Sequence, residues 1–425
     1  MIQLLNNFLS YYRRVLNSIA FYPSLIAFIF FTLAFASHWV EQLGATSWMI
    51  DHVPQLVINN ADTARTLLST FIGGLLSLTV FSFSMVMVIL NQAASNFTPR
   101  LLPGIISSKR HQVVLGFYIG TILYCILILL TIKPDGNEYT LPGFEIFLCI
   151  FFTIVCLGLF VYFIHSISQD IQVNTILSRL MKDTTNRLES LNEQEERHRK
   201  EQSIDSDDWQ EIRSDHSGYF RGIEKDTLMN VAQEEDTVFE VLPINGNYIL
   251  EGVPVLKSKK SLKKEARNNA LSCIKFGSKE VVRDNYIVGF KQITEIAMKA
   301  MSPGINDPGT ALSAIDYLTQ LFAMRMKIND SVFYLDDSED IRISLNAIDF
   351  KELLYQTVSQ LRLYSKEDPS VMRRLLEMLG KLELSPCEKE HFKEAIRKEK
   401  ELVLEDAKEN IKNLTDLEHL REFAN

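Results

Sequence analysis

Hydroxyl and small side chains recur on one face of the second long apolar segment of the sequence, residues 66–90. In a helix they would form a single stripe, because positions three, four and seven residues apart share a face. The stripe consists of Thr66, Thr70, Gly73, Ser77, Ser84 and Asn91. Such side chains let membrane helices approach closely and hydrogen-bond to each other. They can also line a water-filled path at the centre of an oligomer. Helix packing is the simpler interpretation, and one stripe can serve both roles.

Charged side chains inside a membrane span would indicate an ion or proton route, because they are costly in lipid and usually functional. The sequence pattern marks no intramembrane Asp, Glu, Lys or Arg as part of such a route. This weakens the interpretation of the chain as a transporter.

The least ordinary stretch of the sequence runs from Ser302 to Ala311 and contains Asn306-Asp307-Pro308. Proline disfavours the helical conformation of the residue before it and suits the first helical position. Asp307 is therefore predicted to be the N-cap of a helix that begins at Pro308. A helix start can also hold an anion, but a carboxylate already present there disfavours this alternative.

Strings typical of metalloproteases, serine hydrolases and P-loop proteins do not occur in the sequence. His38 and His52 are interpreted as interfacial or loop histidines, because no further His or Cys joins them in a metal site. We therefore expect no enzyme, no cofactor and no metal. The net charge of -9 also disfavours nucleic acid as a partner, since binding phosphates requires a basic face.

Four stretches are long and apolar enough to cross a bilayer as helices. They are residues 21–37, 66–90, 113–132 and 143–164. Basic residues are concentrated before the first stretch, between the second and third, and after the fourth: Arg13, Arg14, Arg100, Lys109, Arg110, Arg179 and Lys182. The positive-inside rule then places both termini in the cytoplasm. Arg65 and Arg100 are the basic residues closest to the two ends of the second span. We expect a multi-pass protein of the bacterial inner membrane.

The remaining sequence predicts a soluble α+β domain in three parts. A charged helix and linker cover residues 169–215, a small β-rich module covers 216–282, and a helical part covers 283–425. The fold class is thus an α-helical integral membrane domain, residues 1–168 with four transmembrane helices, followed by a cytoplasmic α+β domain.

A run of lysines follows the predicted strands of the β module. Its members are Lys257, Lys259, Lys260, Lys263 and Lys264. A solvated loop is the simpler interpretation. The alternative is contact with anionic lipid head groups, to which each lysine at the surface adds ~1 kcal/mol.

Several strings give the chain a resemblance to a known family. They are residues 64–69 at the start of the second span, 94–102 after it, Gly218-Tyr219 in the β module, and 289–311. Together they resemble the bacterial predicted membrane proteins grouped as domain of unknown function 2254. Gly309 stands where a bulkier residue is common in that family, and Thr98 where a serine is. The resemblance implies the four-span architecture and carries no activity with it.

Two classes of function remain open for such a chain. The first is a homo-oligomeric channel or conduit for ions or small solutes, regulated by its cytoplasmic domain. Several subunits are required, because four helices alone are too few to enclose a wide path. The second is a membrane-anchored sensor or scaffold whose cytoplasmic domain binds a protein or a small ligand. An enzyme ranks last, because no catalytic constellation is visible in the sequence.

Overall fold

The computed structural model describes residues 18, 20–58, 60–96, 109–132, 141–170, 172–197, 205–277, 285–346, 348–387 and 389–424. The chain divides into two compact units, Met1–Gln172 and Val173–Asn425. Each unit has its own apolar interior and is described by itself.

Four helices of the first unit are long and apolar enough to cross a membrane. A short helix, α2 (Ala45–His52), follows the first of them. The four long helices are α1 (Phe21–Gln42), α3 (Ala61–Asn96), α4 (Lys109–Thr131) and α5 (Gly143–Asp170). Each begins within five residues of a predicted span, and three of the four extend past the predicted end. The ends differ because a helix continues past the hydrocarbon boundary where polar residues can be solvated.

The bundle is tightest where α4 crosses α1. A Cβ atom at Gly116 would lie 2.8 Å from Cδ1 of Ile26, and one at Gly120 would lie 2.8 Å from the ring of Phe30. Two glycines four residues apart are a common device for close approach between membrane helices. Phe30, Leu68 and other apolar side chains fill the interior beside this crossing. A second apolar cluster includes Leu75 and Tyr118.

The second unit contains two sheets and nine helices among its described residues. Its first elements are α6 (Val173–Arg197), β1 (Gln210–Arg213), β2 (Gly218–Ile223), α7 (Lys225–Glu234), β3 (Phe239–Val241), β4 (Tyr248–Ile249), β5 (Pro254–Ser258), α8 (Lys264–Ser272) and β6 (Ile274–Gly277). The later elements are α9 (Tyr286–Ala300), α10 (Pro308–Arg325), β7 (Ser331–Leu335), β8 (Ile341–Asn346), α11 (Phe350–Ser365), α12 (Pro369–Leu384), α13 (Glu390–Asn410) and α14 (Leu414–Ala424).

The larger sheet joins strands from distant parts of the sequence. Its order is β1-β5-β3-β8-β7, with a parallel pairing of β3 with β8 and antiparallel pairings elsewhere. Strands β2, β4 and β6 form a separate antiparallel sheet. Strands β2 and β3 both lie inside the β-rich module predicted at 216–282.

The prediction of a wholly helical segment from residue 283 onward is wrong for β7 and β8. These strands form a hairpin whose second strand pairs with β3, so the sheet extends beyond the predicted β module. Strand β1 likewise lies in the segment predicted to be a linker. Short strands are hard to predict because their side chains pack against partners that are distant in sequence.

A buried arginine fixes the turn between α10 and β7. Arg325 is 0% exposed and donates to the Tyr286 hydroxyl at 3.0 Å, to the Ile328 carbonyl at 2.8 Å and to the Ile348 carbonyl at 3.1 Å. It also pairs with Asp330, whose Oδ1 accepts the backbone N–H of Phe350 at 3.0 Å. All three guanidinium nitrogens therefore donate hydrogen bonds, and the buried charge acts as a structural brace.

Candidate functional site

The hydroxyl-rich stripe on α3 points away from its own bundle. All six members, Thr66, Thr70, Gly73, Ser77, Ser84 and Asn91, are exposed. Leu68, Leu75 and Ile89 lie on the opposite face and are at most 9% exposed. No other side chain or backbone atom of the described chain lies within 4 Å of a Cβ built at Gly73 or Gly74. The structure therefore brings the predicted stripe together on one open face of the first unit.

Two hydroxyl protons of this stripe are used within the helix itself. Thr70 Oγ1 donates to the Thr66 carbonyl at 2.7 Å, and Ser77 Oγ donates to the Gly73 carbonyl at 2.9 Å. Each hydroxyl oxygen keeps lone pairs that face outward. The stripe can thus meet lipid or a second helix, and it can accept hydrogen bonds from water.

The interior of the membrane unit contains a carboxylate that the sequence analysis overlooked. Glu145, in the first turn of α5, is 0% exposed. Its Oε1 lies 3.2 Å from Nδ1 of His38 in α1, and its Oε2 is buried without a hydrogen-bond partner. Glu145 is thus an acidic side chain inside the predicted span at 143–164, which the sequence pattern did not single out. It was missed because Glu145 lies at the edge of its apolar run, where charged residues usually mark a span end.

Further polar groups surround this pair. Glu41 follows His38 by less than one helical turn, and its Oε2 is also buried without a partner. The hydroxyl of Tyr124 in α4 donates to Ser37 Oγ at 2.8 Å. Thr46 Oγ1 in α2 accepts the backbone N–H of Phe144 at 3.0 Å, which satisfies a free donor at the start of α5.

Of the two basic residues at the ends of the second span, the structure describes only Arg65. Arg65 lies in the first turns of α3, donates from Nη2 to the Ile132 carbonyl at 3.3 Å, and has Nη1 3.8 Å from Asp62. It therefore ties the start of α3 to the end of α4. Arg100 lies outside the described residues, as do Arg13, Arg14 and the family string at 97–102.

The motif beginning at Ser302 forms the connection between α9 and α10. Asn306 has a positive φ of 47°, and the Asp307 backbone N–H donates to the Ala300 carbonyl at 2.8 Å. Asp307 is the N-cap of α10, with Oδ1 accepting the Thr310 N–H at 3.1 Å and Oδ2 accepting its hydroxyl at 2.5 Å. Pro308 is the first residue of the helix. Both carboxylate oxygens are used in the cap, and this geometry favours the structural interpretation over anion binding.

The lysine run spans the connection between β5 and α8, with three of its members, Lys259, Lys260 and Lys263, in the connection itself. Lys257 lies in β5 and donates from Nζ to the Ser206 carbonyl at 3.0 Å. Lys260 pairs with Asp236 at 2.6 Å. Lys263 is the N-cap of α8, and Lys264 is its first residue. The expectation of a solvated loop agrees with the exposure of Lys259, Lys260 and Lys263, whereas Lys257 and Lys264 belong to the flanking strand and helix.

A charged cleft of about 550 Å³ lies among α10, α12 and α14 in the second unit. Arg373 and Arg374 enter it from α12, and Asp416 and His419 from α14. Arg374 forms two contacts with Asp316, at 2.6 and 2.7 Å, while Arg373 pairs with Glu377 at 3.0 Å. Positive and negative side chains are therefore balanced around it. Within the part of the chain that the structure describes, no group of three His, Cys, Asp or Glu side chains could hold a metal ion.

Two uncharacterised mycobacterial proteins are similar to this chain, one from Mycobacterium bovis and one from Mycobacterium tuberculosis. Each is 24% identical to it over 330 residues, which is 73% of this chain. The chain spans 60% of the length of these curated relatives. No solved structure matches the chain.

A family model described as predicted membrane protein (DUF2254) matches residues 16–381. The match includes the four apolar helices, both sheets and the motif at Ser302–Ala311. This chain belongs to the DUF2254 family of predicted membrane proteins, whose function is not established.

Proposed function

We propose that this protein is a homo-oligomeric channel or conduit for ions or small solutes in the bacterial inner membrane. The observation that carries the proposal is the outward orientation of the stripe on α3. The outward side of the helix holds hydroxyls, two adjacent glycines and an asparagine between large exposed side chains such as Val80, Phe81 and Val88, whereas lipid contact alone would favour large apolar side chains throughout.

A path through a single subunit is disfavoured by the packing of the bundle. Two apolar clusters occupy its interior. The ring of Phe152 packs edge to face against the ring of Phe30, with 4.9 Å between centroids, and against the ring of Tyr124, with 5.4 Å between centroids. Water and ions avoid such an interior. A path therefore has to lie between subunits, where copies of α3 can face one another.

The other exposed faces of the bundle suit lipid. Phe28 and Phe35 on α1, Leu130 on α4 and Val161 on α5 are each more than 60% exposed. The stripe of small and polar residues on α3 differs from these apolar faces. We therefore assign self-association to the surface that carries the stripe. The small residues permit close approach, and the remaining lone pairs of the hydroxyls can face a hydrated axis.

The second unit would regulate the path from the cytoplasm. Both termini are assigned there by the positive-inside rule, since Lys109, Arg110, Arg179 and Lys182 all fall on the same predicted side. Reporter fusions at Asp51 and Asn137 should then indicate the periplasm, and fusions at Lys109 and Asn425 the cytoplasm. A periplasmic result at Asn425 would contradict this arrangement.

The flux experiment uses the full chain reconstituted into liposomes. Wild-type protein should release a small trapped ion, and Ser77→Leu should reduce the rate at matched protein amounts by removing hydration from a narrow path. Phe83→Leu is the matched control, because Phe83 is 59% exposed on the same helix but lies off the stripe. Absence of flux from an oligomeric wild-type protein would contradict the proposal.

A membrane-anchored sensor or scaffold is the second candidate. The cleft among α10, α12 and α14 favours it, since a site of about 550 Å³ with two arginines, an aspartate and a histidine could hold a small polar ligand. Such a protein would need no path, and Ser77→Leu would leave ligand binding in the cleft unchanged.

A further inference from the structure

The membrane unit contains three ionisable side chains at the end of the bundle where α1 finishes and α5 begins. Glu145 is fully buried, and its Oε1 lies 3.2 Å from His38 Nδ1. His38 is 47% exposed, so its ring connects the buried carboxylate with the surroundings of the bundle. Glu41 lies close enough to Glu145 for the two carboxylates to repel each other.

Two oxygen atoms in this cluster have no donor. Oε2 of Glu145 and Oε2 of Glu41 are both buried without a hydrogen-bond partner among the described residues. A carboxylate oxygen in that position accepts hydrogen bonds only, whereas a protonated carboxyl also carries a donor. The geometry is thus unfavourable for two ionised carboxylates, and one added proton would remove the charge from one of them.

The surrounding helices offer little positive charge to replace that proton. From α4, Tyr124 gives its hydroxyl proton to Ser37, and Cys125 is a buried thiol. From α5 the nearest titratable group is Cys149, also a buried thiol. Arg65 of α3 is directed to Ile132 and Asp62, while α2 contributes the neutral Thr46. Among the residues that the structure describes, His38 is the basic group in contact with Glu145.

The charge of the cluster depends on how many of its carboxyl groups are protonated. With His38 neutral and both glutamates ionised, the cluster carries two negative charges in a site from which Glu145 has no access to water. Like charges that share a buried site cannot both ionise readily. Uptake of one proton reduces the charge to one.

We propose that His38, Glu41 and Glu145 form a proton-binding site inside the membrane unit. A proton from water binds one nitrogen of the His38 ring, and the proton on Nδ1 passes to Glu145 Oε1. The ring returns to its neutral form as the other tautomer, so that one proton is taken up and no other bond changes. The site does not depend on conduction, and it exists whether or not the protein forms a path.

A static brace between α1 and α5 is the competing interpretation of the same contact. A brace would keep one protonation state over the pH range in which the protein is folded. The two interpretations therefore differ in whether the charge of Glu145 changes with pH in the folded protein.

The test is infrared difference spectroscopy of the purified full chain in lipid nanodiscs, stepped between pH values. The carbonyl stretching band of a protonated carboxyl should appear as pH falls in the wild type and should be lost in Glu145→Gln. Glu399→Gln is the matched control, since Glu399 is a buried glutamate of the second unit, and it should leave the Glu145 band in place.

His38→Gln provides a second variant in case Glu145→Gln fails to fold, because His38 is half exposed. It should keep the band and move its midpoint by about one pH unit, since the nearest basic group has been removed. A wild-type spectrum without any such band, or an unchanged midpoint in His38→Gln, would overturn the proposal.

Discussion

Leu75 and Ser77 are two residues apart on α3 and point in opposite directions. Leu75 is 1% exposed in the apolar interior of the bundle, whereas Ser77 is exposed and donates its hydroxyl to the Gly73 carbonyl at 2.9 Å. The helix is therefore two-sided, with an apolar face toward its own subunit and an outward stripe of small and polar residues that is flanked by exposed apolar side chains such as Val80 and Phe81. That outward face is the basis of the proposed assembly.

Replacement of Ser77 by leucine should weaken self-association. The larger side chain forces neighbouring helices apart and is expected to cost on the order of 1–3 kcal/mol, which corresponds to roughly 5- to 150-fold in the dissociation constant. Native mass spectrometry or light scattering in detergent would measure the fraction of oligomer, with Phe83→Leu as the control. Equal oligomer fractions for Ser77→Leu and Phe83→Leu would show that the stripe does not lie in the interface.

Removal of the carboxylate at Asp307 should loosen the start of α10. Asp307→Ala should cost ~1 kcal/mol of local helix stability, and Asp307→Asn should cost less, because asparagine also caps helices. Amide hydrogen exchange at Thr310 and Ala311 would report the difference. If both variants lose function equally while the helix stays intact, the carboxylate has a chemical role.

Gly289 and Thr184 form the closest packing point between α9 and α6. A Cβ atom at Gly289 would lie 1.8 Å from Thr184 Oγ1, and Thr184 is 0% exposed. Gly289→Ala should therefore destabilise the second unit by about 1–3 kcal/mol. Thr184→Ala in the same chain should recover part of the loss, since it removes the atom that clashes. Denaturant unfolding of the two single variants and the double variant would test this coupling, and strict additivity would contradict it.

The second unit should lose stability in acid through the Arg342 cluster. The Arg342 guanidinium, whose Nε lies 2.7 Å from Asp336 Oδ2, holds the pKa of Asp336 below its usual range. Lys260 and then Arg342 lower the pKa of Asp236 in the same way. A lowered pKa in the folded state stabilises the fold above the unfolded pKa of ~3.9. That stability is lost as the pH falls through the folded value.

Arg342→Gln should accordingly flatten the dependence of stability on pH below about 4. Arg421→Gln removes the same charge from an exposed position on α14 and serves as the control. Thermal unfolding at a series of pH values gives the comparison. Parallel curves for wild type and Arg342→Gln would show that the cluster does not contribute to the loss of stability in acid.

The sequence predicts most of the helices because their signals are local. Long apolar runs identify the four spans, and Asp307-Pro308 identifies the start of α10. The pairing of β3 with β8 depends on residues about a hundred positions apart, such as Phe239 and Ile343. No local pattern specifies such a pairing, so the hairpin of β7 and β8 was assigned to a helical region.

In the candidate site too, the features set by local sequence can be predicted, and the contacts between distant residues cannot. The α3 stripe follows from helical periodicity alone, and its exposure follows from Leu68, Leu75 and Ile89 on the other face. The contact of His38 with Glu145 joins residues from two spans, and only the packing of α1 against α5 brings them together. A signal for it was present, since a glutamate and a histidine each fall at the end of an apolar run.

Thiol accessibility along α3 tests the central claim most directly. Single cysteines at Thr70, Ser77 and Ser84, in a chain lacking Cys125, Cys149 and Cys156, should react with a small water-soluble thiol reagent in liposomes, and the reaction should block flux. A cysteine at Leu76, which is 55% exposed but points to the side of the stripe, should react slowly and leave flux unchanged. Shielded cysteines at all three stripe positions, with no flux of any small ion, would contradict the conduit and favour the sensor or scaffold.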